Sequence, residues 1–232
     1  MGTRFLSSVL VLAGVLCFAG GRERGAGFFS VANDGAALVF YIDVDLAKMD
    51  TTIDDPEPGP GVPSIHFTPC RVSLSNTSTR AVQTFTNCRI RYKGNTTFHE
   101  KKRQFKLAFG KDEKLCGMRR LNLHSEWKDA TLIREKLVYD LFARLGVTAP
   151  RAVHVRVYLR DSGRPGAAYA YRGLFTAVEQ VDRPFLKRNF THGDGTLYKG
   201  CFGMAGGRWG AANLRFLGDE ARYRGGNNEA RH

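Results

Sequence analysis

The sequence predicts an α+β domain in which an antiparallel sheet carries one main packed helix, and three stretches predict it. Residues 90–109, IRYKGNTTFHEKKRQFKLAF, read as two strands about a Gly-Asn-Thr-Thr turn. Ile90 and Tyr92, then Phe105, Leu107 and Phe109, recur at every second position and define one buried sheet face. Between Asp129 and Leu145, the residues Leu132, Ile133, Leu137, Leu141, Phe142 and Leu145 recur at three- and four-residue steps, the stripe of a helix lying on a sheet. Val153, Val155, Val157 and Leu159 alternate with His154, Arg156 and Tyr158; after a turn at 161–166, residues 168–178 return as the partner strand.

The other elements follow from local chemistry. Residues 37–44, ALVFYIDV, form a strand. Residues 50–63 contain DDPEPGPGVP and read as an exposed loop, since prolines cannot join a ladder. Residues 70–74 and 82–92 read as strands joined around Asn76-Thr-Ser-Thr, residues 111–118 as a polar turn, and residues 119–123 as a short alternating piece. Asp129 is placed to cap the main helix, with Gly146 where a left-handed C-cap sits. A shorter helix begins at Asp182, with Pro184 in its first turn. Beyond Gly203, Gly, Arg and Asn dominate, and no closing element is recognisable.

With 232 residues, 43% of them hydrophobic, the chain is long enough for one well-cored domain. Lys and Arg total 35 against 22 acidic residues, a formal charge of +13 that favours polyanionic partners. Nucleic acid is not expected among them, because there is no basic helix, zinc-finger spacing or RNP-type aromatic motif. Arg4, the apolar run to Ala19 and the small residues at 19–21 have the layout of a secretory signal peptide over 1–21, followed by a linker over 22–36 and a domain over 37–232. The apolar run is shorter than the roughly 20 residues that span a bilayer, so a secreted protein with no membrane span after cleavage is expected. Cleavage leaves Cys70, Cys88, Cys116 and Cys201, for which disulfides are the expected use in an oxidising compartment. Four cysteines allow three pairings; Cys70 with Cys88 brackets a hairpin, which leaves Cys116 with Cys201. Sequons at Asn76, Asn95 and Asn189 agree with secretion, although a glycan on Asn95 would obstruct a ligand held by the central turn.

The chemistry concentrates around that turn. Arg91, Lys93, Gln104 and Lys106 share the face opposite the apolar one, Gly94 permits close backbone approach, and Lys101, Lys102 and Arg103 add fixed charge, a combination suited to phosphate. The bland alternative is a hairpin with a solvated basic edge. Glu179 ends an apolar strand and must be paired or face a cleft, because an uncompensated buried carboxylate is costly. Glu135, beside Arg134 and Lys136, is ordinarily a solvated helix residue. The histidines show no ligand spacing, Trp127 reads as a packing residue, and no serine-hydrolase elbow is present.

The blocks YKGNTT, KKRQFKLAF, RRLNLHSEWKDATLIREKLVYDLFARLGV, GLFTAVEQVD and GTLYKG resemble the spore coat protein H (CotH) kinase family over residues 83–220. The resemblance implies a domain like the nucleotide-binding N-lobe of a protein kinase and an atypical kinase that uses ATP with a divalent metal such as Mg to phosphorylate serines of extracellular or coat proteins. It implies Gly94 and Asn95 at the phosphates, Lys102 and Lys106 as basic strand contacts, Arg134 as the helix arginine, Glu135 orienting Lys106, and Glu179 flanking the base or ribose. The family's catalytic and metal-binding aspartate blocks are not identifiable before His232, so the domain reads as truncated at its C-terminus, with no catalytic residue and no metal ligand assigned. The other reading of the same features is a non-catalytic secreted surface or adhesion module that binds an acidic partner.

Overall fold

The computed structural model describes residues 27–30, 37–54, 66–94, 100–195, 197–200, 203–205, 208–210 and 228–231. The elements run β1 (Leu38–Val44), α1 (Leu46–Asp54), β2 (Thr68–Asn76), β3 (Val82–Lys93), β4 (Gln104–Phe109), β5 (Arg120–His124), α2 (Arg134–Arg144), β6 (Ala152–Asp161) and β7 (Ala170–Glu179). There follow α3 (Arg183–Asn189), β8 (Leu197–Gly200), β9 (Gly203–Ala205), β10 (Arg208–Gly210) and β11 (Asn228–Arg231). Two units divide the chain, one ending at Glu179 and one beginning at Gln180. In the second, α3 starts after Asp182 with Pro184 in its first turn, as expected, and β8 pairs with β11 and β9 with β10.

In the first unit seven strands close into a barrel in the order β1-β2-β3-β4-β5-β7-β6. The expected α+β sheet, roofed by one packed helix in the manner of a kinase N-lobe, is therefore not what forms. The alternating patterns do form strands, but the apolar face they share is buried by the sheet curling on itself. β1 is the closing piece: it pairs antiparallel with β2 and parallel with β6, from Leu38 opposite Val155 to Val44 opposite Asp161. The interior is filled by inward residues of every strand, among them Phe40, Ile42, Val72, Phe85, Ile90, Leu107, Leu121, Val155 and Phe175, all essentially inaccessible.

With the sheet closed, α2 is left with little to cover. It packs against β6, yet Leu137, Leu141 and Leu145 are 61%, 50% and 67% exposed, so the stripe that predicted a core helix faces outward. Its C-terminus matches expectation: Gly146 has φ +71, Val147 N–H donates to Phe142 O and Gly146 N–H to Ala143 O, the two bonds of a Schellman end. Its start does not, because the helix begins at Arg134. Asp129 instead ties the preceding turn, accepting from the Thr131 hydroxyl and amide at 2.6 and 3.0 Å and from the Arg134 amide at 3.0 Å.

Helix α1 is a second difference, occupying residues 50–54 that read as loop; the proline-rich stretch after it lies outside the described residues. Asp45 caps it by accepting from Lys48 N at 3.0 Å, and Met49 is driven fully into the barrel. Cys70 and Cys88 are directly opposite each other on β2 and β3, both buried, and stand as thiols rather than as the expected disulfide. Burial pushes both thiols up, Cys88 to about 12. Cys201 and Asn95 lie outside the described residues. The sequon residue Asn76 is 3% exposed and its side-chain oxygen accepts from the Ser78 and Thr79 amides, so this position does not offer a glycan site on the folded barrel. No described helix is long and apolar enough to cross a membrane.

Closure by the sheet and not by the helix has a measurable consequence. Leu107→Ala, at a fully buried inward position, should cost about 2 to 5 kcal/mol in urea unfolding, whereas Leu141→Ala should cost about 0.5 kcal/mol or less. Equal losses would restore the packed-helix arrangement.

Candidate functional site

The outward residues of β3, β4, β5 and β7 form one polar face. Pairing aligns Arg91 with Lys106, Lys106 with Asn122, and Asn122 with Val178; one step along, Lys93 lies opposite Gln104 and His124 opposite Thr176. These side chains alternate with the core residues Tyr92, Phe105, Leu107, Leu121 and Leu123, so the period of two that fills the barrel also lines up the polar set. Lys106, Asn122 and Thr176 are nonetheless buried, at 6%, 6% and 0% exposure. Asn122 donates to Val178 O at 3.4 Å, while its oxygen and the Thr176 hydroxyl have no hydrogen-bond partner among the described residues. Orphaned buried polar atoms are rare in native folds and mark places where a polar partner belongs.

At one end of this face β5, the following turn and α2 converge. The Lys93 ammonium lies against His124 Nε2 and has no lone pair to offer, so that nitrogen must accept. His124 Nδ1 therefore carries the proton and donates to Glu135, at 2.7 and 2.9 Å from its two oxygens. Burial and then the neighbouring Lys93 charge bring His124 down to about 3, so this contact is a hydrogen bond from a neutral ring. Glu135 also receives Tyr139 and Glu126. Burial, then the hydrogen bond and charge of Glu135, raise Glu126 to about 7. Glu126 holds φ +49 and Leu132 φ +59, and His154 Nε2 donates to Leu132 O at 2.8 Å, which pins the turn against β6. An open cavity of about 320 Å³ beside the network is bounded by Gln104, His124, Glu126, Asp129 and Arg134.

The residues singled out from sequence thus fall in different places. Gly94 ends β3 beside Lys93, with φ +125 as a close-approach glycine requires. Lys106 is on the polar face, and Glu135 adjoins that face, bonded to His124. Asn95 lies outside the described residues. Lys102 turns to one mouth of the barrel, where its ammonium donates to Leu174 O at 2.5 Å and lies 4.8 Å from the centre of the Phe175 ring. Glu179 points inward at the far end of β7, two alternations beyond Phe175, and is held by Arg151 through two side-chain bonds of 3.1 and 2.9 Å. Arg134 is exposed, 3.4 Å from Asp129. Trp127, expected in packing, is 37% exposed at the cavity with Lys128 over its ring.

Sequence reasoning passed over His124 and Glu126. The signal for His124 was the alternation of Leu121 and Leu123, which places Asn122 and His124 outward; only the fold brings Lys93 and Glu135 to it. One ligand atom from each of His124, Glu126 and Glu135 lies within 4.8 Å of the others, a grouping able to hold a cation. Both nitrogens of His124 are committed, whereas the two carboxylates offer oxygen donors, so a hard cation such as Mg fits the carboxylates better than the imidazole.

Glu126 also sets a pH signature. Its folded value lies above its unfolded one, so its contribution to stability is present at low pH and fades as pH rises from about 4.5 through about 7. His124 has the opposite sign, its contribution fading as pH falls from about 6.5 towards 3. Glu126→Gln should therefore gain stability relative to the wild type as pH rises from 5 to 8, measured by urea unfolding at fixed ionic strength; a constant difference would mean that Glu126 is not titrating there.

The model of the CotH kinase protein family matches residues 90–223. The inner spore coat protein H of Bacillus subtilis (strain 168) is 30% identical over 105 residues, which cover 45% of this chain and 27% of that protein. The chain therefore spans well under half the length of this relative, and the match holds β3 from Ile90 onward, β4, β5, α2, β6 and β7, the elements that build the polar face. With a family model matching more than half of its residues, the chain belongs to the CotH kinase protein family.

Proposed function

We propose that the polar face of β3, β4, β5 and β7 binds ATP with a divalent metal, and that the chain is the nucleotide-binding part of a CotH-type atypical kinase acting on serines of coat or extracellular proteins. The observation that carries this reading is the buried Lys106 beside the orphaned polar atoms of Asn122 and Thr176 on a face built within the family-matched stretch. Lys106 and Lys93 supply charge for the phosphates and the Gly94 backbone allows their close approach, while Glu126 and Glu135 would hold the metal. The metal, when bound, neutralises phosphate charge; the chain's own residues position the phosphates and exclude water. The second reading, a non-catalytic module for an acidic partner, is favoured by the charge of +13.

The relative's name describes a coat protein, which supports a coat-associated or extracellular location for this chain. In such a compartment the directly opposed Cys70 and Cys88 are placed to form a disulfide. Non-reducing peptide mapping of the secreted protein should recover the linked 70/88 peptide; free thiols at both positions would argue against an oxidising location.

Calorimetric titration of the chain with ATP and magnesium should show saturable binding. Lys106→Ala and Lys93→Ala should each weaken it by about 1.5 to 3 kcal/mol, the worth of a charge-assisted contact. Phosphate transfer to serine by this chain alone should be undetectable. Equal affinities for wild type and both variants, falling together with salt, would reduce the interaction to diffuse attraction and favour the acidic-partner reading.

A further inference from the structure

On the other side of the β4 strand from this face, at the mouth of the barrel beside α1, lies a second cavity of about 300 Å³. Its walls include Tyr92, Phe105 and Phe175, ring centroids 5.5 to 5.7 Å apart in succession, and its rim carries Lys101, Lys102, Arg103 and Arg172 against only Asp50 and Glu100. From these features we infer that the barrel mouth binds a phosphate monoester carried on an aromatic or apolar group.

Three local devices build the rim. The pairing of β6 with β7 steps from Val157 opposite Gly173 to Tyr158 opposite Tyr171, so Arg172 is the extra residue of a bulge, the device that re-aims a side chain out of its ladder. Gly173 adopts φ +116, a backbone conformation that side-chain-bearing residues rarely take, and the end of the Lys102 side chain passes within 3.0 Å of where a Cβ would sit. Arg103 is fixed by Asp50 at 3.1 Å and lies 4.8 Å from the Tyr92 ring centre, while the Tyr92 hydroxyl donates to Asp50 at 2.8 Å. Asp50 is thus spent on Arg103 and Tyr92. Neither Lys101 nor Arg172 has an ion-pair partner among the described residues.

Four cations against two carboxylates leave an excess that matches a dianion, which a phosphate monoester is above its second pKa of about 6. Guanidinium groups bind such oxyanions in forked pairs. The aromatic walls distinguish a phosphate on a ring from the bare ion, since a ring gains apolar contact that inorganic phosphate lacks. Partial burial already presses the Lys102 ammonium towards its neutral form, and an incoming anion relieves that cost.

The test is titration of the full chain with phenyl phosphate and with inorganic phosphate at pH 7.5. Phenyl phosphate should saturate and bind at least threefold tighter than inorganic phosphate. Arg172→Ala, at an exposed position that should leave folding intact, should weaken phenyl phosphate tenfold or more and leave ATP with magnesium unchanged. Arg80→Ala, an exposed arginine in the β2–β3 turn, and Lys106→Ala should leave phenyl phosphate unchanged. A change of less than twofold in Arg172→Ala, equal weakening in Arg80→Ala, or no saturation would overturn the proposal, whichever way the ATP titration falls.

Discussion

The barrel depends on one seam. β1 lies between β2 and β6, hydrogen-bonded to both, and its side chains are buried along almost their whole length because a strand with neighbours on each side and a filled interior behind has little exposed face. Without that strand, β2 and β6 would each present an open edge and the inward residues of the other six strands would face water. With it, the apolar faces satisfy one another. The parallel register of Leu38 to Val44 on Val155 to Asp161 is reinforced outside the barrel by Tyr41 stacked on Tyr158 at 5.2 Å and by Arg160 bonded to Asp43 at 2.7 Å.

Closure explains what the sequence did and did not make legible. Alternation at Ile90–Tyr92, Phe105–Phe109 and Val153–Leu159 marks strands with one buried face, and all of these are strands. Alternation does not say what buries the face. A helix stripe and a curled sheet meet the same requirement, and the stripe of α2 made the helix the nearer solution on paper. The structure chose the sheet, through a pairing between residues more than a hundred positions apart, which no local pattern encodes. Helix α1 escaped for a local reason: Thr51, Thr52 and Ile53 are β-branched and the proline-rich run follows at once, so its short span carries weak propensity and depends on the Asp45 cap and the burial of Met49.

The site was legible in the same partial way. Period two put Lys93, Gln104 and Lys106 on one face from sequence alone, and the structure keeps them there. The partners that give the face its electrostatics, His124 from β5 and Glu126 and Glu135 from the turn and α2, come from separate segments and are joined only by strand order. The strand β4 also divides the basic residues. Lys106 points outward to the polar face, while the chain just before the strand carries Lys102 and Arg103 to the mouth, so one run of cations in the sequence is divided between the polar face and an aromatic-walled mouth.

The parallel seam also bears on how the chain reaches this state. On a ribosome, β1 and β2 emerge early with no partner beyond each other, and β1 cannot complete its ladder until β6 has been made more than a hundred residues later. The local hairpins can zip as they appear, whereas the seam must await a long loop closure, which places it late in folding and makes the early strands the segment most exposed to mispairing. The family-matched stretch begins at Ile90, so the closing strand β1 lies upstream of it while its parallel partner β6 lies within it.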